Sequence, residues 1–229
     1  VEPLDQLYKD EARELGGKLG LPHHLIWRHP FPGPGLAVRA LCSEGQADME
    51  GMDQLGAEAQ KVAANFGLEL EILPLRSVGV QGDSRTYAHP ALVAGQSDWQ
   101  TLEALSTELT NSFPSINRVV YLLGPASRPR QRLKAGYLTR DRLDLLRQAD
   151  AIAMEGLERY GLMQEVTQMP TVLLPLSSDG VQESVVLRPI STDDFMTARF
   201  SQLSEQVLDD LCQRLLAVEG IEAVFYDIT

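Results

Sequence analysis

Hydrophobic positions along the chain keep two rhythms, one helical and one extended, and the two alternate from end to end. Leu4, Leu7, Leu15 and Leu19 share one side of an amphipathic helix that opens after Pro3, is weakened by Gly16-Gly17 and closes at Gly20. Pro22 then opens a short second helix through Trp27. The next stretch, His29-Pro-Phe-Pro-Gly-Pro-Gly35, suits neither element: its prolines lack amide donors and fix φ, while Gly33 and Gly35 permit bends that a side chain resists. Leu36, Val38 and Ala40 alternate with Ala37, Arg39 and Leu41, which predicts a strand directly after this shaped loop.

Residues 42–54 are loose and polar, either a lid or a linker. Beyond them Leu55, Ala59, Val62, Ala63 and Phe66 predict a helix closed by Gly67, followed by a strand over Leu68–Leu75 and a turn-rich segment over Arg76–Arg85. Asp98 caps a helix carrying Leu102, Leu105 and Leu109, and Arg118–Leu123 reads as a strand. The same order then returns. Thr139 caps a long helix bearing Leu143, Leu146, Ala149, Ala153 and Leu157 and ending near Gly161. Strands follow around Val166–Leu176 and Ser184–Ile190, then a helix around Leu203–Ala217 and a closing strand over Ile221–Ile228.

Two local matches make this an internal repeat. Pro74-Leu-Arg-Ser-Val-Gly-Val-Gln81 corresponds to Pro175-Leu-Ser-Ser-Asp-Gly-Val-Gln182, and Ile116-Asn-Arg-Val-Val-Tyr121 corresponds to Ile221-Glu-Ala-Val-Phe-Tyr226. The fold class is α/β, in the form of α+β modules: two small copies, each a three-stranded sheet packed by helices. One copy is too small to cover both surfaces of its own sheet, so stacking of copies or formation of a homodimer would bury what remains. Between the copies, Gly124–Lys134 holds Arg128, Arg130, Arg132 and Lys134 and reads as an extended linker, exposed or meeting phosphates across an interface.

Charge narrows the partners. With 20 basic against 32 acidic side chains in 229 residues the formal charge is -12, which repels a phosphate backbone and disfavours nucleic acid. No apolar run has the length of a membrane span and the first residues lack a signal peptide's pattern. Cys42 and Cys212 stand far apart without metal or redox spacing, as in a cytoplasmic protein with reduced thiols. Val1 in place of Met reads as the start of a fragment.

Candidate chemistry is sparse. None of His23, His24, His29 and His89 has a zinc-type spacing, and no metal site is expected. His29, at the mouth of the shaped loop, either orients a ligand or bonds a backbone carbonyl. Gly33 and Gly35 can offer amides to an anion if cations stand nearby; Arg39, Arg76 and Arg85 each lie near a bend or strand end, with Asp83 a competing partner for Arg85. Gln168 sits in a predicted apolar strand, where its amide either reads a purine or bonds across the sheet. Arg188, just before Pro189, marks a second polar patch at a strand end, and Asp193 or Asp194 caps the segment after it.

At these residues the chain resembles the carboxy-terminal part of glutamine-hydrolysing GMP synthases. The resemblance is carried by Val1-Glu-Pro-Leu-Asp-Gln-Leu-Tyr-Lys-Asp-Glu11, Arg28-His-Pro-Phe-Pro-Gly-Pro-Gly-Leu36, Arg76-Ser-Val-Gly-Val-Gln-Gly-Asp83, Leu146-Arg-Gln-Ala-Asp150, Asp194-Phe-Met-Thr197 and Val224-Phe-Tyr-Asp-Ile228. It implies the longer form of the enzyme, with a duplicated dimerisation module: residues 1–41 end an ATP pyrophosphatase domain and hold the XMP-binding loop, 42–138 form the first module and linker, and 139–229 the second. It further implies a parent enzyme that uses ATP and magnesium to form adenylyl-XMP, which ammonia from glutamine converts to GMP. Gly33, Pro34, Gly35, Arg85 and Gln168 would contact XMP, with His29, Arg39, Arg76 and Arg188 as positioning candidates. The glutaminase triad, the Ser-Gly-Gly-Val-Asp-Ser phosphate loop and the lysine- and glutamate-bearing tail of the family are not among these 229 residues, so no catalytic residue is assigned and the chain alone is expected to be inactive. The competing reading is a noncatalytic homodimerisation or interaction module without useful XMP binding.

Overall fold

The computed structural model describes residues 2–29, 35–47, 50–81, 84–125, 127, 130–192 and 199–229. The helices are α1 (Lys9–Lys18), α2 (His23–Ile26), α3 (Met52–Asn65), α4 (Trp99–Ser112), α5 (Arg140–Arg159) and α6 (Glu205–Leu216); α1 starts later than expected, and Leu4, Leu7 and Leu19 lie outside it and are exposed, so they do not form a buried side. Their ends follow the capping residues. Asp98 accepts from Thr101 N at 2.8 Å to start α4, and Thr139 accepts from Arg142 N at 3.3 Å to start α5. Leu102, Leu105 and Leu109 of α4 are buried, as are Leu146, Ala149, Ala153 and Leu157 of α5.

Seven strands build the main sheet: β1 (Glu69–Ile72), β2 (Ser77–Gln81), β3 (Ser84–Ala94), β4 (Ile116–Gly124), β5 (Thr171–Leu174), β6 (Glu183–Leu187) and β7 (Ile221–Asp227). Their spatial order is β1-β3-β4-β7-β6-β5, with β2 paired to β3 as a hairpin. Successive neighbours are antiparallel, parallel, antiparallel, parallel and antiparallel, a sequence that reads the same from either edge. Each repeat thus contributes three strands to this path, the first adding β2 beside it, and the two halves join through the antiparallel pair β4–β7. In that pair Tyr121 faces Tyr226, which are equivalent residues of the two repeats, so a local two-fold axis passes between them. The halves even share an irregularity: the parallel ladders slip at His89/Pro90 in one and at Glu183/Ser184 in the other. A continuous core of residues from α3 to α6 and the strands lies on one side, while Leu73, Leu75, Leu92, Val120, Leu174, Leu176, Val186, Ala223 and Phe225 form a second, smaller cluster.

Three further elements differ from the sequence expectation. Residues Gly35–Arg39 form a 3-10 helix, entered from Gly35 at φ 75°, where a strand was expected. Only the end of that stretch reaches the sheet: Ala40 bridges Leu173, and Leu41 N donates to Leu173 O at 2.9 Å. The segment 76–85, expected to be turns, is largely the β2–β3 hairpin, with Gly82 and Asp83 outside the described residues. Its Gly79 does not make a turn; a Cβ there would lie 2.8 Å from Thr86 Oγ1 and 2.9 Å from Asn117 Cβ, so the strands close only over hydrogen. Pro90 masked the long strand β3, and the ladder slip beside it is what accommodates a residue without an amide donor. The linker is also less exposed than expected: Arg132 and Leu133 pair with Ser177 and Leu176, and Gln131 is buried.

Candidate functional site

The sheet register carries three arginines to one place. Arg118 leaves β4 beside the seam, Arg188 follows β6 of the other repeat, and Arg76 precedes β2; with Asp227 of β7 they line a cavity of about 360 Å³. Its floor is apolar, formed by Leu73, Leu75, Val120, Val172, Leu174 and Val186, and the wall beside it comes from Val38, Leu41 and Cys42 at the end of the 3-10 helix. Asp227 is 4% exposed, and its Oδ2 accepts from Arg118 Nη1 at 2.9 Å and from Arg188 Nε at 2.7 Å. Arg118 also donates through Nη2 to Val78 O at 2.8 Å, while the Arg76 guanidinium lies over the Tyr87 ring at 5.9 Å. Burial, helped by the nearby Arg188, holds the Arg118 pKa below its ordinary value, with Asp227 opposing.

A second cavity, about 520 Å³, gathers other expected residues. His29, Arg39 and Gln168 line it together with Trp27, Asp150 and Met169. Arg39 is paired with Asp150 at 3.1 Å. His29 Nε2 donates to Met163 O at 3.3 Å, and burial lowers the ring's pKa below its ordinary value, which favours the neutral form. The Asp150 pKa is raised by burial, with Arg39 opposing. Because Glu155 and Glu158 also line this cavity, carboxylates outnumber guanidinium groups there. Gln168 is not inside a strand; it is joined to Ile190 by an isolated backbone bridge, Gln168 N to Ile190 O at 3.1 Å and Ile190 N to Gln168 O at 2.7 Å.

The expected site residues therefore divide. Gly33 and Pro34 lie outside the described residues, and Gly35 starts the 3-10 helix. His29, Arg39 and Gln168 share one cavity; Arg76 and Arg188 share the other. Arg85 is exposed, opposite Val80 in the hairpin, and lines neither. Arg118 was missed by sequence reasoning although a signal existed: within the matched segments it stands where the second repeat has Ala223, a charge in one copy where the other has an apolar residue.

Three guanidinium groups against one carboxylate, over an apolar floor, give this α+β domain a cavity with a surplus of positive charge. Residues 155–229 match the family described as GMP synthase C terminal domain. A probable glutamine-hydrolysing GMP synthase from Leptospira interrogans is 38% identical over the whole chain, which covers 38% of that protein. The GMP synthase of Dictyostelium discoideum is 30% identical, again over the whole chain and 39% of its own length. That of Oceanobacillus iheyensis is 41% identical over 140 residues, 53% of this chain and 27% of the relative. The chain is a homologue of the carboxy-terminal part of GMP synthases, and it spans about two-fifths of the length of the relatives that align with all of it. Among the described residues no helix is long and apolar enough to cross a membrane.

Proposed function

We propose that this chain is the XMP-receiving portion of a GMP synthase and takes the nucleotide's phosphate in the cavity lined by Arg76, Arg118 and Arg188. The observation that carries this reading is the surplus of positive charge held there, in a chain whose formal charge is -12. A phosphate monoester is a compact dianion that guanidinium forks bind through charge-assisted hydrogen bonds. The other cavity has the opposite balance of charge and offers Gln168, Trp27 and Met169 to an uncharged group. Gly33, Pro34, Gly35 and Arg85 remain XMP contacts in this proposal, with His29 and Arg39 as supporting residues.

The complete enzyme, on this reading, activates XMP with ATP and magnesium and aminates it with glutamine-derived ammonia, in the cytoplasm. Residues 1–41 would belong to the end of the ATP-using domain. In keeping with that, Leu4, Leu7, Leu19, Leu21, Leu25 and Val38 are exposed, an apolar surface suited to packing against the rest of such a domain. Residues 42–138 and 139–229 would be the duplicated modules. Homodimerisation belongs to the same proposal and would use surfaces other than the β4–β7 seam, which is already paired within the chain.

Isothermal titration calorimetry of the 229-residue chain with XMP tests the reading. Saturable binding that weakens at least about tenfold in Arg118→Ala, the loss expected from one charge-assisted hydrogen bond, is the expected result. Arg85→Ala measures the hairpin's share in the same experiment. Absence of binding would favour a noncatalytic interaction module, and sedimentation at several concentrations would report the dimer. The purified chain is expected to form no GMP from XMP, ATP and ammonia.

A further inference from the structure

The arginine cavity contains an acid that a simple anion receptor would do without. Asp227 faces inward from the last strand, almost fully buried, and subtracts one charge from the site. Its geometry shows what it gives in return. A single oxygen, Oδ2, is shared by Nη1 of Arg118 from the first repeat and Nε of Arg188 from the second. The other oxygen, Oδ1, accepts from Thr229 N at 3.0 Å, and Thr229 Oγ1 in turn accepts from Val119 N at 2.8 Å, which fixes the carboxylate against the strand that carries Arg118. Arg188 is bound through Nε alone, and among the described residues its two Nη groups have no protein partner.

We propose that Asp227 is a positioning residue for the anion site: it holds Arg118 and Arg188, one from each repeat, at a fixed separation and leaves the Nη groups of Arg188 for a phosphate monoester. The inference rests on the reading of this cavity as the nucleotide-phosphate site, and it adds why a negative charge stands inside it. Two guanidinium groups on one ligand repel each other and carry long flexible stems. A carboxylate between them removes that repulsion and restricts both stems before the ligand arrives, so the ligand does not have to order them itself. The equivalent of Asp227 in the first repeat is Leu122, and among the described residues no such clamp exists on that side.

The effect of Asp227→Asn separates positioning from simple charge. If the carboxylate only offset positive charge, its removal would tighten anion binding; if it positions the arginines, binding weakens although the site has become more positive. The experiment follows the arginine Nε–Hε signals of the 15N-labelled chain by NMR during titration with inorganic phosphate and, separately, with XMP. Expected are concerted shifts of the Arg118 and Arg188 signals in the unmodified chain and an affinity at least about tenfold lower in Asp227→Asn, the scale of one charge-assisted hydrogen bond. Arg118→Lys is the second variant, needed if Asp227→Asn fails to fold. It keeps the charge but cannot reach both Val78 O and Asp227, and the same loss is expected.

Unchanged or tighter phosphate binding in Asp227→Asn, or unchanged binding in Arg118→Lys, overturns the positioning role. No movement of either arginine signal with phosphate or XMP overturns the site itself. Phosphate binding with these signatures but without XMP binding would retain Asp227's role and refute the XMP reading alone.

Discussion

The two repeats share a backbone and differ in what they place at matching points. Where the first carries Arg76 and Arg118, the second carries Ser177 and Ala223; where the second carries Arg188 and Asp227, the first has Ala94 and Leu122. Each half has thus kept charges that the other lacks, and they converge on one side of the local two-fold axis. At the matching ladder slips the contrast is equally plain. His89 uses Nδ1 to meet Leu73 O at 3.0 Å, whereas Glu183 receives both Nε and Nη2 of the buried Arg142 at 2.7 and 2.9 Å. Duplication supplied the frame twice, and divergence left one arginine-lined cavity and one closed ion pair.

The largest effect that would sharpen this contrast is expected at the ion pair. Arg142→Ala strands Glu183 in the interior and removes donors from Leu41 O and Tyr137 O, with a loss of about 3 kcal/mol, the scale of a broken buried pair, in urea unfolding. Lys134, 3.4 Å from Glu183, limits the loss. His89→Gln, at the matching point, should cost less; equal costs would mean that the two halves use these positions alike.

A smaller difference is expected on the axis itself. Tyr226 OH donates to Ser201 O at 2.5 Å in the core, and its ring packs 5.2 Å from Trp99; Tyr121 OH donates to Gly95 O at 2.7 Å nearer the surface. Tyr226→Phe should lower stability by about 1 to 2 kcal/mol, because it leaves a buried carbonyl without its donor, and Tyr121→Phe by about half that. The same unfolding assay decides it, and equal losses would erase the distinction.

The smallest effect concerns pH and lies outside the duplicated frame. Burial holds the pKa of His29 below 6.5, so as pH falls through about 6.5 the unfolded chain takes up the proton first and the folded state loses stability. His29→Gln should flatten this acid-side slope. An unchanged slope between about pH 6.5 and 5.5 would show that His29 titrates alike in both states.

Much of the frame was legible beforehand because its signals are local. Leucine spacing gave α4 and α5, Asp98 and Thr139 gave their starts, and the paired segments ending at Tyr121 and Tyr226 gave the duplication. What escaped was set by distant partners. A glycine in Val78-Gly79-Val80 looks like a turn until Asn117 and Thr86 are seen to crowd it, and Pro90 argues against a strand until the ladder slip beside it is known. The site was half legible for the same reason. Arg76 and Arg188 stood at strand ends, but Arg118 sits within an apolar run, and only the pairing of β4 with β7 brings it to Asp227.

That pairing has a consequence for how the site responds to dilution. Between separate molecules, a seam such as β4–β7 would form by second-order encounter and come apart as the protein becomes scarce. Here the linker between the repeats makes it a first-order closure at a fixed effective concentration. The arginines drawn from the two halves therefore stay matched to each other however few copies of the chain are present.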